Sequence, residues 1–277
     1  MTGRDVRRPI SRRITAILIS LLIFWVFWCV LLFFVQHLLI FPSGMANSRM
    51  LNSAPADVES WSLQIGNQAT VEAWFLPSDV ESPTPAVVIL HGNAELIDDQ
   101  LLMARALRNQ GVHVLLPEYR GYGRSGGSPS QNAIVDDTAA FVDRLSSRDD
   151  VSEIIYLGRS IGASVATQVA LRHPPSAMVL MMPPARIDTM AWRFGYPPMF
   201  VRSPFRSDLA IPQIPSPILI IERSDDEIIP SAHPQLLHDL APNSRLITIE
   251  GSHNMVDRHA EAERERSAIW SFIFDRN

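Results

Sequence analysis

The stretch Ile154-Ile155-Tyr156-Leu157-Gly158-Arg159-Ser160-Ile161-Gly162-Ala163-Ser164-Val165-Ala166-Thr167-Gln168-Val169-Ala170 decides how the rest of the chain is read. An apolar β-branched run, a Gly-x-Ser-x-Gly turn and an Ala-rich segment, in that order, predict a strand, a sharp turn and a helix. Such a turn forces its serine into a strained backbone conformation. Glycines on either side remove the Cβ atoms that would collide as the helix folds back on the strand. Ser160 is thereby expected at the top of a sheet, presented as a nucleophile. A glycine-rich turn whose serine only caps a helix is the bland alternative. The flanking elements and the partner residues found further along the chain argue against it.

Outward from that turn, strands and helices alternate. Upstream, Ala86 to Leu90 is a short continuous apolar run of the kind buried on both faces of a parallel sheet. A helix at Leu101–Asn109, a strand at 112–116 and a helix at Ala133–Leu145 follow it. Downstream come strands at 177–182, 217–221 and 245–249 and helices at 234–240 and 258–274. Before all of these, 60–65 and 71–76 alternate like antiparallel edge strands around a turn at Gly66-Asn67. The order predicts an α/β fold with a mostly parallel sheet and helices on both faces. Residues 183–215 interrupt the rhythm with prolines, aromatics and methionines and suit a small lid.

The N-terminal part is of another kind. Residues 1–13 carry Arg4, Arg7, Arg8, Arg12 and Arg13, and no charged side chain occurs from Ile14 to Ile40. A run of that length exceeds the roughly 20 residues needed to cross a bilayer and the apolar core of a cleaved signal. The expected organisation is a basic cytoplasmic segment (1–13), a transmembrane helix (14–40), a polar tether (41–56) and the α/β domain (57–277). Because the next basic residue after Arg13 is Arg49, the positive-inside rule puts the N-terminus in the cytoplasm. The domain is then extracytoplasmic, periplasmic if the cell is bacterial. Trp25 and Trp28 fall mid-span and are expected to pack on lipid or another helix.

Composition excludes several functions. A net charge of −5 leaves no footprint for nucleic acid. One cysteine, Cys29, lies in the apolar run, so neither a disulfide framework nor a cysteine metal site is expected, and no cofactor is expected. All 24 basic residues are arginine, which removes lysine chemistry.

A serine hydroxyl needs a base to take its proton, and the base needs a carboxylate to hold its tautomer. The later strand ends offer both. Arg223-Ser224-Asp225-Asp226-Glu227-Ile228-Ile229-Pro230 follows one strand and Glu250-Gly251-Ser252-His253-Asn254 the last. Among eight histidines, His253 alone lies just beyond the last strand, beside a glycine that lets the loop turn toward the serine. Asp226 is the favoured acid, with Asp225 one register step away and Asp188, after the preceding strand, as alternatives. The oxyanion of a tetrahedral intermediate needs backbone donors. Ile161, directly after the serine, and Asn93, in the loop His91-Gly92-Asn93-Ala94-Glu95, are placed to supply them.

That loop, together with Tyr119-Arg120-Gly121-Tyr122-Gly123-Arg124-Ser125-Gly126, Gly158-Arg159-Ser160-Ile161-Gly162, Asp226-Glu227-Ile228-Ile229-Pro230 and Gly251-Ser252-His253-Asn254, resembles the membrane-anchored α/β-hydrolases. The resemblance covers about residues 40 to 275. It implies the α/β-hydrolase fold and a serine mechanism with Ser160 as nucleophile, Asp226 as acid and His253 as base. Glu118, where the family tends to have Asp, implies altered packing under the site; Arg223, where it tends to have Gly, an altered mouth. The resulting expectation is a serine hydrolase of ester or thioester bonds acting on a small or lipid-like acyl substrate. A serine aminopeptidase of the same fold and a catalytically idle interaction module are the alternatives. A dehalogenase would carry Asp at position 160.

Overall fold

The computed structural model describes residues 10–66, 69–81 and 83–275. Arg4, Arg7 and Arg8 of the basic N-terminus, and Asn67 of the expected turn, lie outside the described residues. Among those described, eight strands form one sheet in the order β1-β2-β4-β3-β5-β6-β7-β8. β1 (Glu59–Ile65), β2 (Ala69–Leu76) and β4 (His113–Pro117) pair antiparallel in that order. From β4 onward every neighbour is parallel: β3 (Thr84–Leu90), β5 (Val151–Arg159), β6 (Ala177–Met181), β7 (Ile218–Arg223) and β8 (Ser244–Ile249).

The central strands read as unbroken apolar runs because both of their faces are covered. Side chains alternate between the two layers. Val88, Leu90, Tyr156 and Leu180 face Ile134 and Phe141, Val165 and Val169, and Leu237. Val87, Ile89, Leu157 and Val179 face Ala104 and Leu107, and Ile269 and Ile273. The helices that supply these contacts, after a first helix α1 (Ile10–Ile40), are α2 (Leu101–Arg108), α3 (Gln131–Ser146), α4 (Ile161–Ala170), α5 (Ala232–Leu240) and α6 (His259–Phe274). The fold is that of the α/β-hydrolases. Its elbow helix, α4, ends at Ala170.

Between β6 and β7 the chain makes four short helical turns, Asp188–Phe194, Pro198–Phe200, Ser207–Ala210 and Ile211–Gln213, and no long helix. Prolines at 197, 198, 204 and 212 interrupt any sustained helical period there. This is the expected lid.

α1 has the length and apolarity to cross a membrane. Arg12 to Phe27 are exposed, whereas a stripe of its second half, Leu32 and Gln36 foremost, is buried against the lid. The indole N–H groups of Trp25 and Trp28 donate to the lid carbonyls of Gly195 (3.0 Å) and Phe194 (2.8 Å). These tryptophans therefore have polar partners in the domain, not merely the lipid or helix neighbours expected of them. The segment 41–56 likewise differs from a free tether. Phe41 and Ala46 are buried in the core, Gly123 N donates to Asn47 Oδ1 (2.8 Å), and Leu51 N to Asp98 Oδ1 (2.8 Å). An apolar residue every few positions in an otherwise polar segment was the signal for this docking.

Candidate active site

Ser160 is the entire turn between β5 and α4, with φ 53° and ψ −120°. Holding a non-glycine residue there costs about 1–3 kcal/mol, which the surrounding packing offsets. The neighbours leave no room for side chains. A Cβ on Gly162 would lie 2.0 Å from the Leu90 carbonyl oxygen, and one on Gly158 2.6 Å from that of Gly162. The two glycines let β3, β5 and α4 converge, and Ser160 Nα donates to Met181 O (2.8 Å) across to β6.

The loop after β8 brings His253 over this turn. Its Nε2 lies 3.1 Å from Ser160 Oγ and its Nδ1 2.7 Å from Asp226 Oδ2. A carboxylate accepts, so Nδ1 carries the proton and the Nε2 lone pair faces the serine hydroxyl. The other oxygen of Asp226 accepts from the backbone N–H of Ile228 (2.9 Å) and Ile229 (2.6 Å), closing a tight turn that fixes the carboxylate. Burial by itself would raise the pKa of Asp226. The hydrogen bond from His253 and the two amides outweigh it and hold the group below the ordinary carboxylate range.

The other two acid candidates go elsewhere. Asp225 accepts from the Ser224 hydroxyl (2.7 Å) on the exposed side, and Asp188 makes a two-pronged pair with Arg186 (2.9 and 2.7 Å). Glu227 holds the histidine loop from behind by accepting from His253 N (3.1 Å).

The loop after β3 is fixed by residues whose part was not readable beforehand. Tyr119 Oη donates to the His91 carbonyl and Tyr122 Oη to that of Asn93, both at 2.8 Å. The Tyr119–Ser125 motif is thus a clamp that orients the peptide planes of the loop after β3. Beneath it, His91 is fully buried, with Nε2 2.9 Å from Glu118 Oε1 and Nδ1 2.8 Å from the Gly92 carbonyl. Both partners accept, which calls for a proton on each ring nitrogen. Burial alone would lower the pKa of His91; the charge of Glu118 and its hydrogen bond more than reverse that and raise it. Glu118 also accepts from Ile97 N (3.3 Å) and Tyr119 N (3.1 Å). Arg223 is not at the mouth: it is buried and paired with Glu265 of α6.

Arg159 was passed over in the sequence, although it stands next to the serine. Its guanidinium pairs with Glu95 of the loop after β3 and donates to the His253 carbonyl (2.9 Å) and Asn254 Oδ1 (3.1 Å). Glu95 in turn accepts from Gly92 N (2.8 Å). An Arg in the elbow and a Glu in the β3 loop are opposite charges on two loops that the fold brings together, and that was the available signal.

Ser160, His253, Asn93 and Ile161 border one cavity of about 770 Å³. The lid contributes Met190 and Phe194 to it, whereas Trp192 and Met199 point outward and are 61% and 81% exposed. Sites of roughly 300–1,000 Å³ hold ligands of drug or acyl-chain size.

The family model described as serine aminopeptidase, S33, matches residues 81–210, a span from β3 through the elbow into the lid. An uncharacterized protein of Mycobacterium tuberculosis, Rv2307c, is 30% identical over 234 residues, covering 79% of this chain and 80% of that one. YfhR of Escherichia coli K12, also uncharacterized, is 28% identical and covers 93% of this chain and 94% of its own. Lysophosphatidylserine lipase ABHD12 of Danio rerio is 29% identical, over 64% of this chain and 52% of that protein. Among solved structures, the Pyrococcus furiosus esterase Pf2001 superposes with a TM-score of 0.65 at 19% identity, over 83% of this chain and 96% of that one. The ferulic acid complex of Est1E from Butyrivibrio proteoclasticus gives 0.64 at 20%, over 74% and 96%. By sequence and by fold, this chain belongs to the α/β-hydrolase family.

Proposed function

We propose that this hydrolase is a membrane-anchored serine esterase or thioesterase. Ser160 attacks the acyl carbon, His253 takes the hydroxyl proton and later returns it to the leaving group, and Asp226 holds the imidazole in the required tautomer. The backbone N–H groups of Ile161 and Asn93 receive the oxyanion, and water resolves the acyl-enzyme. The observation that carries this reading is the row Ser160 Oγ, His253, Asp226, joined at 3.1 and 2.7 Å at the mouth of an apolar cavity. α1 is the anchor. The alignment with YfhR, at 93% of this chain, necessarily reaches into it.

The family model's description favours weighing an aminopeptidase as well. Such an enzyme grips a substrate's ammonium group with a carboxylate. Glu95 and Glu227, which border the cavity, are engaged by Arg159 and by His253 N, and the lid acids Asp188 and Asp208 pair with Arg186 and Arg206. The ester reading is therefore preferred. Labelling by a fluorophosphonate probe, followed by turnover of a p-nitrophenyl ester series, tests it. Wild type should be labelled and should hydrolyse the esters, while Ser160→Ala and His253→Ala lose both with the fold intact, since members of such a row act as a unit. A Ser160→Ala protein labelled as strongly as wild type refutes the assignment.

A further inference from the structure

The apolar helix does more than hold the domain at a surface. Leu32, Gln36, Leu39 and Ile40 of α1 line the same cavity as Ser160 and His253. Asn93 Nδ2 also reaches the Ile40 carbonyl at 3.4 Å, so the end of α1 touches the oxyanion loop. Gln36, the one amide side chain of α1, is 7% exposed and fastens the helix to the lid. Its Nε2 donates to Phe200 O (3.2 Å) and its Oε1 accepts from Arg202 N (2.8 Å). With the two tryptophan bonds to Phe194 and Gly195, α1 is joined to the lid over three turns of helix.

Lengths then decide where the bilayer reaches. The part of α1 that precedes its first bond to the lid, Ile14–Phe24, spans about 16 Å at 1.5 Å per residue. The hydrocarbon core is roughly 30 Å thick. The remaining depth has to come from the half that rides on the lid, so the lid surface beside it sits at the membrane boundary. That surface is apolar: Trp192, Phe194, Met199 and Phe200 are all exposed. Aromatic side chains of this kind favour the water–lipid interface.

We infer that the cavity takes the acyl chain of a lipid resident in the bilayer, which enters along α1, so that the anchor helix is one wall of the substrate site. This rests on the serine-hydrolase reading above, and the experiment separates the two. Full-length protein is placed in dioleoylphosphatidylcholine vesicles and given p-nitrophenyl dodecanoate or p-nitrophenyl acetate, with fluorophosphonate labelling as a measure of an intact nucleophile. At a fixed bulk amount of dodecanoate, adding phosphatidylcholine to dilute it in the surface should lower its turnover in proportion to its mole fraction. A rate indifferent to surface dilution means supply from water and overturns the proposal. Leu39→Trp, which fills the wall, should lower the dodecanoyl-to-acetyl ratio of kcat/KM at least tenfold, while Val30→Trp, on the outward side of α1, leaves that ratio as in wild type. If Leu39→Trp is not labelled, Leu39→Ala carries the test and must also change the ratio. Labelled variants with an unchanged ratio remove α1 from the site and leave the hydrolase standing. An unlabelled wild type removes the hydrolase reading itself.

Discussion

At the scale of single residues, Asp225 and Asp226 differ by one register step and by their whole environment. Asp226 has one oxygen on His253 and the other on two amides; Asp225 faces solvent beside Ser224. Asp226→Asn should lower kcat by about 10³–10⁴, because an amide tends to stabilise the wrong imidazole tautomer, whereas Asp225→Asn stays close to wild type. The opposite ranking in steady-state kinetics would move the acid by one residue. A pH dependence of stability accompanies it. The folded pKa of Asp226 is lowered, so its contribution is present above the unfolded value near 3.8 and is lost as pH falls through the folded value. The melting temperature of wild type should therefore exceed that of Asp226→Asn by more at pH 6 than at pH 3. A difference constant across that range would show that the carboxylate gains nothing from its partners. His91 has the reverse sign, since a raised pKa supports the fold below its unfolded value and ceases to as pH rises through the folded one.

At the scale of elements, the site is an agreement among three loops, and Arg159 is the residue that touches all of them. It leaves β5 beside the serine, pairs with Glu95 after β3 and donates to the His253 carbonyl after β8. Arg159→Met should lower kcat about 10- to 100-fold, the cost of a displacement near 1 Å, with less change in KM for short esters. Arg159→Lys should recover part of the loss. Equal losses in both variants, or a loss confined to KM, would make the residue a substrate contact and not a positioning one. Strands β3, β5, β6 and β7 were legible beforehand because burial on both faces writes itself as unbroken apolar runs, and the elbow because its glycines are sterically required. Arg159 and Glu95 were not, since their pairing depends on two loops far apart in sequence. The docking of Trp25, Trp28 and Gln36 was hidden for a related reason. A membrane span and a helix laid on a lid share one apolar composition, and only the partner carbonyls at 194, 195 and 200 tell them apart.

At the scale of the whole molecule, the joint between α1 and the domain ties orientation to chemistry. On the proposal that α1 spans a membrane, the docking of segment 41–56 would hold the face of the domain that bears the cavity toward the leaflet at the C-terminal end of α1. Five arginines precede Ile14 and no basic residue intervenes between Arg13 and Arg49, an asymmetry on the scale that orients a first span with its N-terminus in the cytoplasm. A reporter that is active only after export, fused after Asn277, should then give signal in intact cells, and one that works only in the cytoplasm should be silent. Replacing Arg7, Arg8, Arg12 and Arg13 by Gln should weaken that preference, whereas replacing Arg148 and Arg172 on the domain should not. A cytoplasmic signal from the unaltered chain would put the cavity on the inner leaflet, and the lipids that reach Ser160 would be those of the opposite face of the membrane.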